Sequence, residues 1–187
     1  MREQGSEKHA PPWHAPLAVE DVAETGAHID LVADAATRAA VTRIAGLRDL
    51  PRLEANFDVT RQGGGLRVVG RVSATAGQSC VVTLEPIASE VDEAVDVVFA
   101  PQTAGEKTAG EAGASGQPAP REVKWNDPEP LIGGVVDLGA LATEFLILGL
   151  DPYPRKPGAV FKPAPDAKAD AGPFAALAEL KRGQDGR

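Results

Sequence analysis

Apolar and polar residues alternate along the middle of the chain, which is typical of strands with one face against a core and the other toward water. The alternation runs from Leu53 to Val59, stops at the glycines Gly63 to Gly65, and resumes from Leu66 to Ala74. This pattern predicts a β-hairpin. Ala27 to Leu31 predicts a strand ahead of the hairpin, and Leu17 to Val22 is a further short candidate.

Two more strands are predicted beyond the hairpin. Cys80, Val82 and Leu84 indicate a strand that Glu85-Pro86 interrupts. Glu93 falls on the apolar side of the strand after it, and because an unpaired buried carboxylate is costly, we expect an edge position or a β-bulge there. The inward side chains of that strand are Val91, Val95, Val97 and Phe99.

Two helices are predicted on either side of these strands. In the first, Asp34 is placed as the N-cap of a helix that runs to about Ala45, where Gly46 favours a stop. One face of this helix is apolar, and we expect it to lie on the sheet. That face carries Ala40, Val41, Ile44 and Leu47.

The second helix is the most apolar stretch of the chain. Asp137 is placed as its N-cap, and Asp151-Pro152 ends it because the residue before a proline is pushed out of the α region. Apolar side chains occupy nearly the whole circumference, so we expect burial, with Leu138 in the core. Glu144 is the only charge inside the helix and the best candidate for a specific polar contact. A short strand, Ile132 to Val136, is predicted just before the helix.

Together these elements predict an α+β fold: a single domain over residues 17–161, with a mainly antiparallel sheet of about four to six strands covered by two helices. Residues 1–16 are proline-rich and predict a flexible lead-in, from which Trp13 can dock onto the domain. Residues 101–130 contain almost no aliphatic side chains and predict a disordered acidic loop. Residues 162–187 predict a flexible tail.

The tail contains one amphipathic run. Phe174, Leu177 and Leu180 recur every three residues within the range Pro173 to Arg182. This spacing predicts a weak helix of two to three turns that is marginal on its own. We therefore interpret the run as a docking segment.

The composition limits the classes of protein to consider. The chain has one cysteine, which excludes an intramolecular disulfide and a structural zinc cluster. The longest apolar run, Phe145 to Leu150, is too short to span a bilayer, and the first residues lack the apolar core of a signal peptide. We therefore expect a cytoplasmic protein that is neither secreted nor membrane-inserted.

Charge is distributed unevenly along the chain, whose net charge is −8. Residues 1–100 contain 9 basic and 15 acidic side chains, whereas residues 131–187 contain 7 of each. An acidic body repels phosphate backbones and attracts basic partners, so a primary grip on nucleic acid is disfavoured.

No catalytic constellation is visible in the sequence. Cys80 has no nearby histidine or helix N-terminus that would lower its pKa, so core packing is favoured over a nucleophilic role. The histidines His9, His14 and His28 have neither metal-ligand spacing nor a partnered serine or cysteine. We therefore predict no enzymatic activity, no metal and no cofactor.

Two charged motifs are candidate binding sites. Arg155-Lys156 with Tyr153 can touch phosphate by charge and stacking, the alternative being a solvated turn held rigid by its prolines. An acidic run has spacing that matches no calcium loop, so it predicts either a solvated face or a face that meets a basic partner. The run consists of Glu85, Glu90, Asp92, Glu93 and Asp96.

Two stretches resemble one known family when taken together. They are Ser79 to Pro86, followed by the acidic strand that ends at Phe99, and Val136 to Leu146, and they flank the low-complexity loop. In this order they resemble the YceD family, also known as DUF177 or large ribosomal RNA subunit accumulation proteins, in its alphaproteobacterial form. The resemblance covers roughly Leu17 to Phe161. It implies a role in accumulating 23S ribosomal RNA, and hence in large-subunit assembly, with no established enzymatic activity.

One departure from the family pattern concerns cysteines. Many members have a second cysteine three residues after the first, and some have more near the C-terminal end, which suggests a metal site. Here these places are Thr83 and the cysteine-free run Tyr153 to Phe161, so the resemblance implies no metal in this chain. Its pattern falls on Cys80, Glu85, Pro86, Asp137, Leu138 and Glu144.

Two functional hypotheses follow. The first is a non-enzymatic factor for large-subunit biogenesis that promotes 23S ribosomal RNA accumulation and binds assembly intermediates. The second is an acidic interaction module or chaperone for a basic ribosomal protein. Both predict weak direct contact with RNA, no membrane partner and no small-molecule substrate.

Overall fold

The structure is a computed structural model that describes residues 11–101 and 127–161. The described elements form an α+β fold, as the sequence predicts. A 3₁₀ turn at Val19–Asp21 follows the first strand. In chain order the elements are β1 (Pro16–Ala18), β2 (Ala27–Val32), α1 (Ala35–Ala45), β3 (Asp49–Gln62), β4 (Gly65–Ser79), β5 (Pro86–Pro101), β6 (Glu129–Leu131), β7 (Val135–Asp137) and α2 (Leu138–Gly149).

The main sheet has five strands in the order β2-β3-β4-β5-β6. The first four are antiparallel neighbours, and β6 runs parallel to the end of β5. Strands β3 and β4 form the predicted hairpin, which turns at Gly63 and Gly64; both have the positive φ that tight hairpin turns require. A separate pair, β1 with β7, joins the start of the described chain to the residues just before α2.

The predicted alternation correctly identifies the buried face of the sheet. Phe57 on β3 and Val72 on β4 are fully buried, and they belong to one apolar cluster with Val41 of α1 and Leu146 of α2. Gly70 lies beside Phe57: a Cβ at Gly70 would come within 2.9 Å of the phenyl ring. The missing side chain therefore makes room for the ring. Burial of each large side chain is worth about 1.5–3 kcal/mol.

Both helices begin where the sequence predicts. The Asp34 carboxylate accepts a hydrogen bond from the Thr37 backbone N–H at 2.7 Å, and Gly46 ends α1 in the left-handed region. Val41 is buried, but Ile44 is 56% exposed, so the predicted apolar face is only partly used. The reason is that α1 contacts the sheet mainly at β3.

The prediction that α2 is buried all round is wrong. Its Asp137 cap is confirmed, and Leu138 and Leu146 are buried. However, Ile147 is 41% exposed and Leu148 is 71% exposed. The sheet covers only one side of the helix, and within the described part of the chain no other element covers the opposite side.

Residues 11–16 of the predicted N-terminal lead-in pack against the domain. Trp13 is buried in the core, as the docking prediction expects. Its backbone lies against α2, because a Cβ at Gly139 would come within 2.7 Å of the Trp13 carbonyl oxygen. The Leu138 backbone N–H donates to the Ala15 carbonyl at 2.9 Å. Ordered structure therefore begins ahead of Leu17.

Predictions about two connections need correction. Cys80, Val82 and Leu84 do not form a strand, because β4 continues to Ser79, β5 begins at Pro86, and the residues between them make a turn. The predicted strand from Ile132 to Val136 is instead a turn followed by β7. Glu129 and Pro130, which composition assigned to the loop, lie in β6.

Of the two positions predicted for Glu93, an edge of the sheet or a β-bulge, the structure shows the edge. Glu93 pairs in regular register with Val72, so no β-bulge is present there. Among the described strands, β5 has a second neighbour only from Phe99 onward, so Glu93 lies at an edge of the sheet. Residues 102–126 of the predicted loop and the predicted helix in the tail lie outside the described residues.

Candidate functional site

The side chains of β2 to β5 that point away from the core form a surface that we call the open face. Three arginines on it pair with the acidic residues of β5. Arg67 donates two hydrogen bonds to Asp96, at 2.9 and 2.8 Å. Arg71 lies 2.8 Å from Asp92, and Arg52 donates to Glu90 at 2.9 Å. Three members of the acidic run, Glu90, Asp92 and Asp96, thus form a ladder of ion pairs across β3, β4 and β5. The other two lie elsewhere, because Glu85 precedes β5 and Glu93 has the inward parity of that strand.

The Arg67–Asp96 pair perturbs the ionisation of both of its partners. The hydrogen bond from Arg67 holds the pKa of Asp96 below its usual value, and Asp96 raises the pKa of Arg67. Asp92 raises the pKa of Arg71 in the same way. The Arg67–Asp96 pair therefore stays charged over the physiological range, and its two-bond geometry is the strongest form of such a contact.

Carboxylates remain in excess on the open face. His28 of β2 pairs with Asp58 at 2.7 Å and lies 3.4 Å from Asp30. The hydrogen bond to Asp58, followed by the charge of Asp30, raises the pKa of His28. The open face carries three arginines and six acidic residues: Arg52, Arg67 and Arg71, and Asp30, Glu54, Asp58, Glu90, Asp92 and Asp96.

A second candidate region lies at the end of the β4-β5 hairpin, and we call it the hairpin tip: residues 80–85 together with residues 151–156. The buried Cys80 thiol accepts hydrogen bonds from the backbone N–H groups of Thr83, at 3.5 Å, and Lys156, at 3.4 Å. The Val81 N–H donates to the Pro154 carbonyl at 2.9 Å. Cys80 is therefore the acceptor that joins two segments distant in sequence.

These contacts change the chemistry expected of Cys80. The Lys156 N–H, with the Thr83 hydroxyl and N–H, lowers the pKa of Cys80 to about 6 from its ordinary 9.0, although burial opposes the shift. The prediction that Cys80 is buried is confirmed, but its pKa is lowered by backbone and hydroxyl donors that the prediction did not consider. Sequence alone gave no signal for the donor at Lys156, which is 76 residues away.

Glu85 makes a second set of contacts between the two segments of the hairpin tip. Its carboxylate accepts from the Lys156 ammonium group at 3.0 Å and from the Thr83 hydroxyl at 3.1 Å. Lys156, followed by Thr83, lowers the pKa of Glu85. The Glu85 carbonyl also accepts from the Cys80 N–H at 2.9 Å, and Pro86 then starts β5. The ion pair and the N–H···S bonds thus join residues 80–85 to Lys156.

The hairpin tip also presents exposed side chains. Leu84 has a φ of 61° and is 75% exposed, an unusual conformation for a residue with a large apolar side chain. Tyr153 is exposed, and its N–H donates to Asp151 at 2.8 Å. Arg155 is exposed and makes no hydrogen bond or ion pair with any described residue.

The family-motif residues of α2 differ in their roles. The Asp137 carboxylate accepts from the Gly139 and Ala140 N–H groups at 3.1 Å, and it also contacts His14 and the Ala15 N–H. Burial raises the pKa of Asp137, but the hydrogen bonds outweigh it, so the net shift is downward. Glu144 is exposed, and the specific polar contact predicted for it is not found among the described residues.

Within residues 11–101 and 127–161, no three His, Cys, Asp or Glu side chains are grouped so as to hold a metal ion. No helix in these same ranges has the length and hydropathy to cross a membrane.

The fold and the site define an α+β protein with a layer of helices on one sheet face and a ladder of paired charges on the other. The model of the family described as large ribosomal RNA subunit accumulation protein YceD matches residues 68–181. Because this match covers more than half of the chain, the protein belongs to the YceD family, and the resemblance is confirmed. No curated protein and no solved structure gives a match.

The match begins within β4 and includes β5, the hairpin tip and α2. The family description connects the protein with accumulation of the large ribosomal RNA subunit. The predicted binding candidates did not include Arg52, Asp30 and Asp58, which lie on the open face. All three occupy positions whose side chains point away from the core, so the alternation of side chains along a strand is the signal that identifies them.

Proposed function

We propose that the protein is a non-enzymatic, cytoplasmic factor for biogenesis of the large ribosomal subunit, which promotes 23S ribosomal RNA accumulation by binding assembly intermediates through the open face. The observation that supports this best is the charge balance of that face. Its arginines are already paired with carboxylates, and further carboxylates remain around His28.

This balance favours a basic protein over RNA as the first contact. Binding to phosphates requires an excess of cations that release counterions, whereas carboxylates outnumber arginines on this face, and Asp96 and Asp92 lie beside Arg67 and Arg71. The remaining carboxylates complement the lysine- and arginine-rich surface of a basic partner. We propose that direct RNA contact is limited to side chains such as Tyr153 and Arg155 at the hairpin tip. The affinity for protein-free RNA is then in the non-specific range of about 10⁻⁴–10⁻⁶ M.

A second candidate function is a chaperone for one newly made basic ribosomal protein. The same excess of carboxylates favours it, and the two functions differ in partners. A pull-down of the full chain with and without ribonuclease separates them. A single basic protein that survives the nuclease supports the chaperone, whereas several large-subunit components that depend on intact RNA support binding to an assembly intermediate.

Depletion tests the broader proposal. We expect loss of the protein to lower the ratio of large to small ribosomal subunits, measured by sedimentation, and expression of the unaltered chain to restore it. An unchanged ratio in a strain already limited for subunit assembly contradicts a role in biogenesis.

A further inference from the structure

The outer side of α2 carries an apolar groove. It has a volume of about 270 Å³ and lies between Pro11-Pro12 and the helix residues Ala140, Glu144, Ile147 and Leu148. Leu148 lies on the outer side of α2 and is 71% exposed, whereas Leu146 on the inner side is fully buried. An apolar surface of this kind on a helix is typical of a binding site.

The chain itself contains a segment whose chemistry fits the groove. Phe174, Leu177 and Leu180 recur every three residues and fall on one side of a helical turn, and Lys181-Arg182 follows them directly. The groove is apolar, and the exposed carboxylate of Glu144 at its border has no ion-pair partner among the described residues. Apolar side chains followed by cations thus complement an apolar groove bordered by an anion.

The extent of the family match supports a link between segment and domain. The match continues past the last described residue, Phe161, and ends at residue 181, just after Leu180. The family's shared region thus contains α2 and also this apolar run of the tail. We propose that the segment Pro173 to Arg182 binds the groove on α2 of its own chain, with its apolar side chains against Ile147 and Leu148.

The length of the connection permits this contact. Residues 162–172 span up to roughly 36–40 Å when extended, at about 3.3–3.6 Å per residue. The helix α2 is only about 18 Å long, at 1.5 Å per residue. A short tether also gives the segment an effective concentration in the millimolar range, which offsets the nucleation cost of a helix that is marginal alone. A second copy or a partner protein would have to reach such a concentration in solution.

Hydrogen exchange of the full chain tests the proposal, with a synthetic peptide of residues 171–187 as the unprotected reference. We expect amides of Phe174 to Leu180 to exchange at least roughly tenfold more slowly in the chain than in the peptide. Leu148→Ser and Phe174→Ser should each abolish the difference. Val32→Ser is the matched control, since Val32 is 72% exposed but lies on β2, and it should leave the protection unchanged.

Four results would overturn the proposal. These are equal exchange in the unaltered chain and in the peptide, protection that survives Leu148→Ser, protection that is also lost in the Val32→Ser control, and protection that rises with protein concentration together with a dimer in sedimentation. The last result identifies a second copy as the occupant. A charge exchange adds a further arm: Glu144→Lys should weaken protection, and adding Lys181→Glu should restore part of it. These outcomes do not depend on the proposed ribosomal function.

Discussion

The open face and the hairpin tip are both built from charged and polar side chains, but they differ in how those side chains are held. On the open face, two pairs join the neighbouring strands β4 and β5, a third reaches from β3 to β5, and both partners of each pair are exposed. At the hairpin tip, a fully buried thiol and a lysine bridge segments that are more than 70 residues apart. One region is a surface of separable pairs, and the other is a structural joint.

This difference has a consequence for binding. Exposed ion pairs contribute little to stability, so a face made of them can exchange its own partners for those of another molecule at small cost. A buried acceptor that satisfies two backbone N–H groups is expensive to remove, because the donors are left without partners. We therefore propose that the open face binds the partner and that the hairpin tip stabilises the fold.

The largest effect on stability is expected when the contacts of Cys80 at the hairpin tip are removed. Cys80→Ala removes the acceptor shared by Thr83 and Lys156, and we expect the melting temperature to fall by about 2–6 °C. On the open face, Asp92→Asn should change it by less than about 2 °C. Thermal unfolding followed by circular dichroism measures both, with Val81→Ala as the control at an exposed neighbouring residue. Equal effects of Cys80→Ala and Asp92→Asn contradict the distinction.

The open face was largely predictable from sequence, and the hairpin tip was not. Strict alternation from Leu53 to Val59 is a local property, so it predicts the outward parity of each strand without knowledge of the fold. The N-cap at Asp34 is equally local. In contrast, the environment of Cys80 depends on where Lys156 lies after α2 has crossed the sheet. The exposure of Leu148 depends likewise on which side of the helix the sheet covers.

The stability contributed by the hairpin tip is expected to depend on pH through Cys80. The pKa of Cys80 is lowered to about 6 from 9.0, so between these values the folded state binds fewer protons than the unfolded state. The resulting stabilisation is fully present above pH 9 and is lost as the pH falls through 6. We expect the free energy of unfolding, measured with urea, to rise from pH 6 to pH 9. Cys80→Ala should remove that rise; an identical rise in both proteins contradicts the contacts assigned to the thiol.

A smaller effect of opposite sign is expected on the open face. Asp58 and Asp30 raise the pKa of His28, so its stabilisation is fully present below pH 6.5 and is lost as the pH rises through the higher folded value. Nuclear magnetic resonance titration of the imidazole should show this raised pKa. About 1 M salt should move it back toward 6.5, because exposed charges are screened. A pKa at or below 6.5 in low salt contradicts the pairing.

The most direct test of the central claim is a binding measurement on the open face. Glu90, Asp92 and Asp96 are replaced together by lysine, and a compensated variant also replaces Arg52, Arg67 and Arg71 by glutamate, which restores the pairs and the net charge. We predict that the lysine variant loses association with preribosomal particles, that the compensated variant regains part of it, and that the unaltered protein binds protein-free large-subunit RNA only weakly. Urea unfolding checks that all three chains are folded. Tight binding of the unaltered protein to protein-free RNA, kept or improved by the lysine replacements, would contradict the account.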